Sequence, residues 1–315
     1  MALLVTSRLA ALVASLFAAS ILVFAVVNLL PGDVATSLLG VNATPENIAI
    51  LRHQLGLDQP VWLRYLDWIG GLLHGDFGTS LLSRTPVAPL ILSKATVSAP
   101  LALLSAAIAL AVAIPAGVVA GVRYRSLSGA LISALSLGGI AIPGFWAGLL
   151  LATVFAVQLR LLPAGGFIDW SEDPVAAFRS LVLPATALGL VQGAVLTRYV
   201  RSAVIDVQRE DFIRTARAKG LTRWQALRRH GFRNAAIPVI TVLGIQLTSL
   251  LVGAIVIENV FFLPGLGRLL FQSVLNRDLI VVEDLVMLLT TVVLVVNFAT
   301  DISYRLLDPR IRSSR

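Results

Sequence analysis

The chain has 315 residues, 57% of them hydrophobic and 13% charged, with a mean hydropathy of +0.88 and a formal net charge of +8. That balance excludes an ordinary soluble globule, and the absence of cysteine excludes disulfides, thiol catalysis and Cys-ligated zinc. Histidine occurs only at positions 53, 74 and 230, too scattered to suggest a metal cluster.

Charge-free apolar runs fall at residues 9–31, 95–122, 126–159, 180–197, 234–257 and 285–300. A helix needs about 20 residues to cross the hydrocarbon core. The first five runs meet that length, and 302–307 can extend the sixth. The first run is longer than the roughly 7–15 residues of a signal-peptide core and reads as a retained span. Residues 126–159 are too long for one straight helix. Gly138-Gly139 and Pro143-Gly144 argue for a single broken or tilted span. The expected fold is therefore an all-α integral membrane protein with six transmembrane helices.

Six spans put both termini on one side. That side, with the second and fourth loops, carries seventeen basic and five acidic residues; the other carries eight basic and twelve acidic. The positive-inside rule places both termini in the cytoplasm, so the excess charge reports topology and not nucleic-acid affinity. The expected divisions are residues 1–31 (N-terminus and first helix), 32–94 (an extracytoplasmic segment), 95–309 (a five-helix core with a cytoplasmic loop at 198–236) and a cytoplasmic tail, 310–315.

Pro31-Gly32-Asp33 reads as the stop of the first helix. In the segment that follows, Thr44 is a candidate N-cap with Pro45 at the first helical position. Trp62, Tyr65 and Trp68 form an aromatic face. That face suits the membrane interface, and the segment reads either as a small cap packed on the bundle or as a substrate-guiding surface. Pro143, with Phe145 and Trp146 beside it, interrupts the third span and is either a packing kink or a flexing element of a pathway. After the fifth span, Glu258, Phe261, Pro264 and Gly265 belong to a turn-rich external loop. Glu258 reads as a carboxylate solvated at the membrane edge, with a functional role as the alternative. Asp301 and Arg305 are spaced to pair at the cytoplasmic end of the last span.

The most informative stretch is 198–238, which holds ten of the 25 lysines and arginines. Residues 204–219 suit a helix, Gly220 a terminator, and 222–233 a second helix with Thr222 as N-cap. Leu221, Trp224 and Leu227 would form one apolar stripe, making a helix–Gly–helix knuckle with a greasy stripe amid positive charge. A DNA-binding helix-turn-helix is disfavoured because both ends are tethered to apolar spans and the segment has no evident core of its own. A docking surface for a cytoplasmic protein is the better reading.

The run Arg214-Thr215-Ala216-Arg217-Ala218-Lys219-Gly220-Leu221, followed by His230, Arg233-Asn234-Ala235 and Pro238, resembles the EAA loop of binding-protein-dependent ABC importer permeases. It is most similar to the dipeptide/oligopeptide/nickel branch, which commonly replaces Glu-Ala-Ala with Arg-Thr-Ala. The words LPGD, LGLDQP and GDFGTS, the IPGFWAG run around Pro143, LLPAGG at 161–166, ENVFFLPGLG at 258–267 and Asp308-Pro309-Arg310 agree with the same branch across the chain. One departure is Leu279-Ile280, where the family usually has Tyr-Pro.

The resemblance implies a permease subunit of the bacterial inner membrane, forming the translocation pathway of an ATP-driven peptide importer. Nickel-chelate, glutathione or opine transport are the alternatives within the branch. Its implied partners are a second homologous permease, two cytoplasmic ABC ATPases and an extracytoplasmic solute-binding protein. ATP and Mg would sit on the ATPase subunits; this chain would bind no cofactor and is not expected to be an enzyme, and it lacks GxxxxGK[ST]. Arg214–Leu221 with Trp224, Leu227, His230 and Asn234 would couple it to the ATPases. A stand-alone secondary transporter would carry ionisable residues inside its spans, and the apolar runs contain none.

Overall fold

Helices account for the regular structure of a computed structural model that describes residues 2–29 and 34–307; a lone bridge joins Thr79 and Pro86. In order, these are α1 (Ala2–Asn28), α2 (Val34–Leu39), α3 (Pro45–Gln54), α4 (Val61–His74), α5 (Val87–Val122), α6 (Leu127–Ala141) and α7 (Gly144–Leu151). They continue with α8 (Pro174–Arg209), α9 (Asp211–Ala218), α10 (Arg223–Ala226), α11 (Phe232–Val260), α12 (Leu266–Leu275) and α13 (Leu279–Leu307). Five helical stretches are long and apolar enough to cross a membrane, and α6 with α7 makes a sixth if the pair is one span.

The spans are longer than the charge-free runs. α5 starts at Val87, not at residue 95, because Lys94 sits within a helix turn and can reach outward along its stem. α13 starts six residues before 285 and takes in Glu283 and Asp284. The third span does bend, by 99°, but Gly138-Gly139 lies inside α6 and does not break it. The bend falls at Ile142, which is extended (φ −85°, ψ 119°) as expected before proline, and Pro143 caps α7. Pro31-Gly32-Asp33 and residues 308–315 lie outside the described residues.

The contacts group into two units, residues 1–98 with 264–295 and residues 99–263 with 296–315. The first unit therefore joins the segment at 32–94 to α12 and the start of α13. Thr44 caps α3 through Asn47 N–H at 3.3 Å. Of the aromatic face on α4, Tyr65 and Trp68 pack on Phe24 of α1 (ring centroids 5.4 and 5.9 Å), while Trp62 stays 64% exposed. The cap alternative thus holds for two of the three rings. Trp68 Nε1 donates to Asp284 Oδ1 (2.9 Å), and Asn28 Nδ2 donates to Glu283 Oε1 (3.0 Å). Asp278 seats the GDFGTS turn: its carboxylate accepts from the Ser80 hydroxyl and from Leu81 N–H (3.0 Å).

In the second unit α8 is the axis: 67% of its membrane-length window is buried, against 22% for the stretch holding α11. A Cβ on Gly117 or Gly121 of α5 would lie 2.6 or 2.7 Å from Cβ of Val200 or Val204 on α8. The reciprocal pair, Gly189 and Gly193 of α8, meets Ile108 and Ala109. Both are small-xxx-small seams, which let backbones approach where lipid supplies no hydrophobic drive. α6 joins through Ser136 Oγ to Ala194 O (3.2 Å), and α11 through Gln246 Nε2 to Gln192 Oε1 (2.6 Å).

Gly121→Leu must displace the α8 backbone, with Arg201 O only 3.1 Å from the added Cβ. It is expected to destabilise the protein by about 1–3 kcal/mol or more, read as a lower melting temperature in detergent; an unchanged melting temperature would remove the seam from the packing. Asp278→Ala leaves the Ser80 hydroxyl and Leu81 N–H without their acceptor, a loss of about 2 kcal/mol. Limited proteolysis within 79–86 should accelerate, and unaltered cleavage would count against the clamp.

Candidate functional site

The loop predicted as two helices around a glycine is built differently at both ends. The helix expected at 204–219 is interrupted: α8 ends at Arg209, Glu210 is extended (φ −65°, ψ 146°), and α9 begins at Asp211. The turn is needed because Ile213 and Ala216 fold back onto α8, where Ile213 is fully buried against Val200, Val204 and Val207. Gly220 ends the turn at φ +95°, a left-handed backbone that favours glycine. Thr222 then forms a full capping box, its hydroxyl accepting from Gln225 N–H and its own N–H donating to Gln225 Oε1. The second helix does not stop at 233. A π-helical turn (Leu227–Gly231) carries α10 straight into α11.

The stripe of Leu221, Trp224 and Leu227 is divided by this folding. Leu227 is 3% exposed and belongs to a cluster with Ile213, Ala216, Ala226 and Ala235; Leu221 is half-buried on its edge. Only Trp224 faces outward, half exposed. The knuckle thus has a small core after all, shared with α8, and Leu227 and Ala216 serve it instead of an outside surface. Around Trp224 the exposed residues of the predicted set are Arg214, Thr215, Arg217, Ala218, Lys219, Gly220, His230 and Asn234. Arg228, Arg229 and Arg233 are also exposed. Among these cations, Arg214 pairs with Asp211 at 3.3 Å, a surface contact of small worth. Arg223 lies over the Tyr124 ring at 5.9 Å, and Gln208 Nε2 donates to Gly121 O (3.2 Å), which brings the loop between α5 and α6 to the same place. The arrangement presents one aromatic anchor in a positive field, on a rigid base. It suits docking, and among the described residues it gathers no reactive constellation.

The predicted pathway residues differ in burial. Phe145 and Trp146 are exposed on α7 (45% and 46%), whereas Glu258 and Phe261 are buried (1% each). Glu258 is therefore not solvated at an edge, and with Glu283 (5%) and Asp284 (0%) it places buried carboxylates within membrane-length helices, contrary to the charge-free interiors expected. Phe261 works as a packing piece: its ring would meet a Cβ on Gly148 at 2.8 Å, and its carbonyl accepts from Gly166 N–H at 2.8 Å. Pro264 is half-buried and Gly265, buried, caps α12. The Arg305 side chain expected to pair with Asp301 lies outside what the structure describes. Reading the sequence by charge-free runs missed the acids of α13 and the role of Asp278. The Gly117-xxx-Gly121 and Gly189-xxx-Gly193 spacings were the available signal for the α5–α8 seams.

Comparison with known proteins gives one consistent result. The family model described as binding-protein-dependent transport system inner membrane component matches residues 113–313, and the N-terminal model of the same systems' membrane component matches residues 1–98. Among relatives, the glutathione transport system permease protein GsiC of Escherichia coli O1:K1 / APEC is 39% identical over 308 residues, covering 98% of each chain. The dipeptide transport system permease protein DppB of Escherichia coli K12 is 37% identical over 332 residues, again covering 98% of each. In fold, the chain is similar to the MetNI methionine ABC transporter in inward-facing conformations, with a TM-score of 0.56 and 18% identity over 70% of this chain and 96% of that one. With both family models matched and full-length relatives above 30% identity, the chain belongs to the binding-protein-dependent transport system inner membrane components, as a multi-pass permease of the ABC transporter class.

Proposed function

We propose that this permease forms the translocation pathway of an ATP-driven importer for di- or oligopeptides and couples that pathway to separate ATPase subunits through the knuckle at 211–231. The observation that carries the coupling role is the knuckle itself. Trp224 projects from a surface ringed by arginines, and the core beneath it contains residues of α8, α9, α10 and α11 together. A displacement imposed on Trp224 is transmitted to two long helices, because packed cores shift as units and do not deform continuously. Charge asymmetry supports a cytoplasmic position for the knuckle and both termini.

In this scheme two cytoplasmic ATPases bind ATP and Mg, a second homologous permease completes the pathway, and an extracytoplasmic solute-binding protein delivers the solute. Closure of the ATPase pair moves the knuckles and rocks the permeases between inward- and outward-facing states. The absence of a P-loop sequence in this chain agrees with nucleotide chemistry residing elsewhere. Peptide is the first substrate class because relatives at 40% and 37% identity over 98% of the chain are named peptide and dipeptide permeases; the glutathione permease relative makes glutathione, itself a short peptide, the second.

Two measurements test this on the complex reconstituted in lipid discs. ATP hydrolysis should be stimulated by a dipeptide presented with the binding protein and absent from the isolated permease. Solute flux by the isolated permease without any ATPase would refute the assignment. Trp224→Asp removes the aromatic anchor and puts a carboxylate into the interface, expected to lower peptide-stimulated uptake by well over tenfold, since central aromatic anchors contribute about 2–4 kcal/mol. Gly220→Pro should act likewise, because proline is held near φ −65° and cannot take the backbone found there. Uptake at the wild-type rate in both variants, with normal amounts in the membrane, would remove the knuckle from the coupling path.

A further inference from the structure

The geometry points to a second solute site in this permease: a cavity in the first unit, on α4 and the turn after it, that takes the protonated amino group of a small zwitterion. The cavity measures about 440 Å³, within the range of small-ligand sites. Its charged lining is mixed: Asp67, Asp76 and Glu283 supply carboxylates and Arg64 one guanidinium. None of the four is ion-paired with another among the described residues. Asp76 accepts from Gly78 N–H (2.9 Å), and the Arg64 guanidinium lies over the Phe24 ring at 6.0 Å.

Glu283 is the sharpest sign of a ligand. It is only 5% exposed, and the single hydrogen bond it makes among the described residues is the one from Asn28 to Oε1. A carboxylate that deep, with one neutral donor on Oε1 and Arg64 as the one cation acting on it, gains from a further donor in the cavity. A primary ammonium supplies three donors, and the Trp68 ring lines the same space. Arg64 lines the same space and suits the carboxylate at the other end of the molecule. The matched ligand is an amino acid or a short peptide with both termini free. Placing the cavity on the outer face, where solute first meets the permease, rests on the proposed function. The pairing of charges does not.

The chain has no cysteine, so one introduced at Gln59, an exposed residue of the cavity lining, reports on this site alone. The complex carrying Gln59→Cys is treated with a maleimide in the absence of the binding protein. Mass spectrometry then reads the labelled peptide of this chain. Dialanine is expected to slow labelling, and N-acetyl-dialanine to leave it unchanged. Glu283→Gln, or Asp67→Asn on the exposed side where folding is not at risk, should raise the half-protecting dialanine concentration about tenfold, the loss expected for one charge-assisted contact. Absence of protection by dialanine, equal protection by the acetylated form, or protection by magnesium or potassium chloride alone would overturn the site. Peptide uptake by the same complex, measured in parallel with the binding protein present, separates the two proposals. Uptake without protection leaves the importer assignment standing and removes only this cavity.

Discussion

Everything in the second unit depends on the close approach of α5 to α8. Gly117 and Gly121 lie against Val200 and Val204, and those same valines form the floor of the knuckle. In a membrane, apolar side chains gain nothing by leaving lipid for one another, so helices associate through contact area and backbone proximity. Removing two side chains from α5 permits that proximity. It also places Val200 and Val204 where Ile213, Ala216 and Leu227 can fold back onto them. One seam thereby joins the spans to the knuckle, which is a continuation of helix packing and not a loop hung from it.

The first unit is held by a different kind of interaction. Its acids are used as acceptors: Asp278 for the Ser80 hydroxyl and Leu81 N–H, Asp284 for the Trp68 indole, Glu283 for Asn28. Each ties α13 or the residue before it to an element far away in sequence, and each is specific in a way that aliphatic packing is not. Asp278 shows the principle best. Its two oxygens meet a hydroxyl and a backbone N–H at the tip of a turn that the Thr79–Pro86 bridge also closes.

Local signals in the chain were legible where the physics is local. Thr44 and Thr222 are N-caps because a hydroxyl reaches an amide three residues on, and Gly220 ends a helix because its φ of +95° suits no other residue well. Pro143 bends the third span because the residue before it is driven into an extended conformation. Gly138-Gly139 misled for the converse reason: glycine permits a break without requiring one, and here Gly139 is wanted small because Ala194 Cβ would lie 2.8 Å from its own.

Composition and charge asymmetry by themselves determined that this is a multi-span helical membrane protein with a basic segment late in the chain, and its motif words carried the resemblance to the binding-protein-dependent permeases. Those properties are sums over residues or short-range patterns, and neither needs a partner to be named. Tertiary structure decided which residues of that segment face out. Leu227 and Trp224 are equally apolar in the sequence and three apart, yet the return of α9 onto α8 buries one and leaves the other half exposed. It also decided that Glu258, Glu283 and Asp284 lie inside long helices, since helix ends are set by tertiary packing and not by where charges first appear.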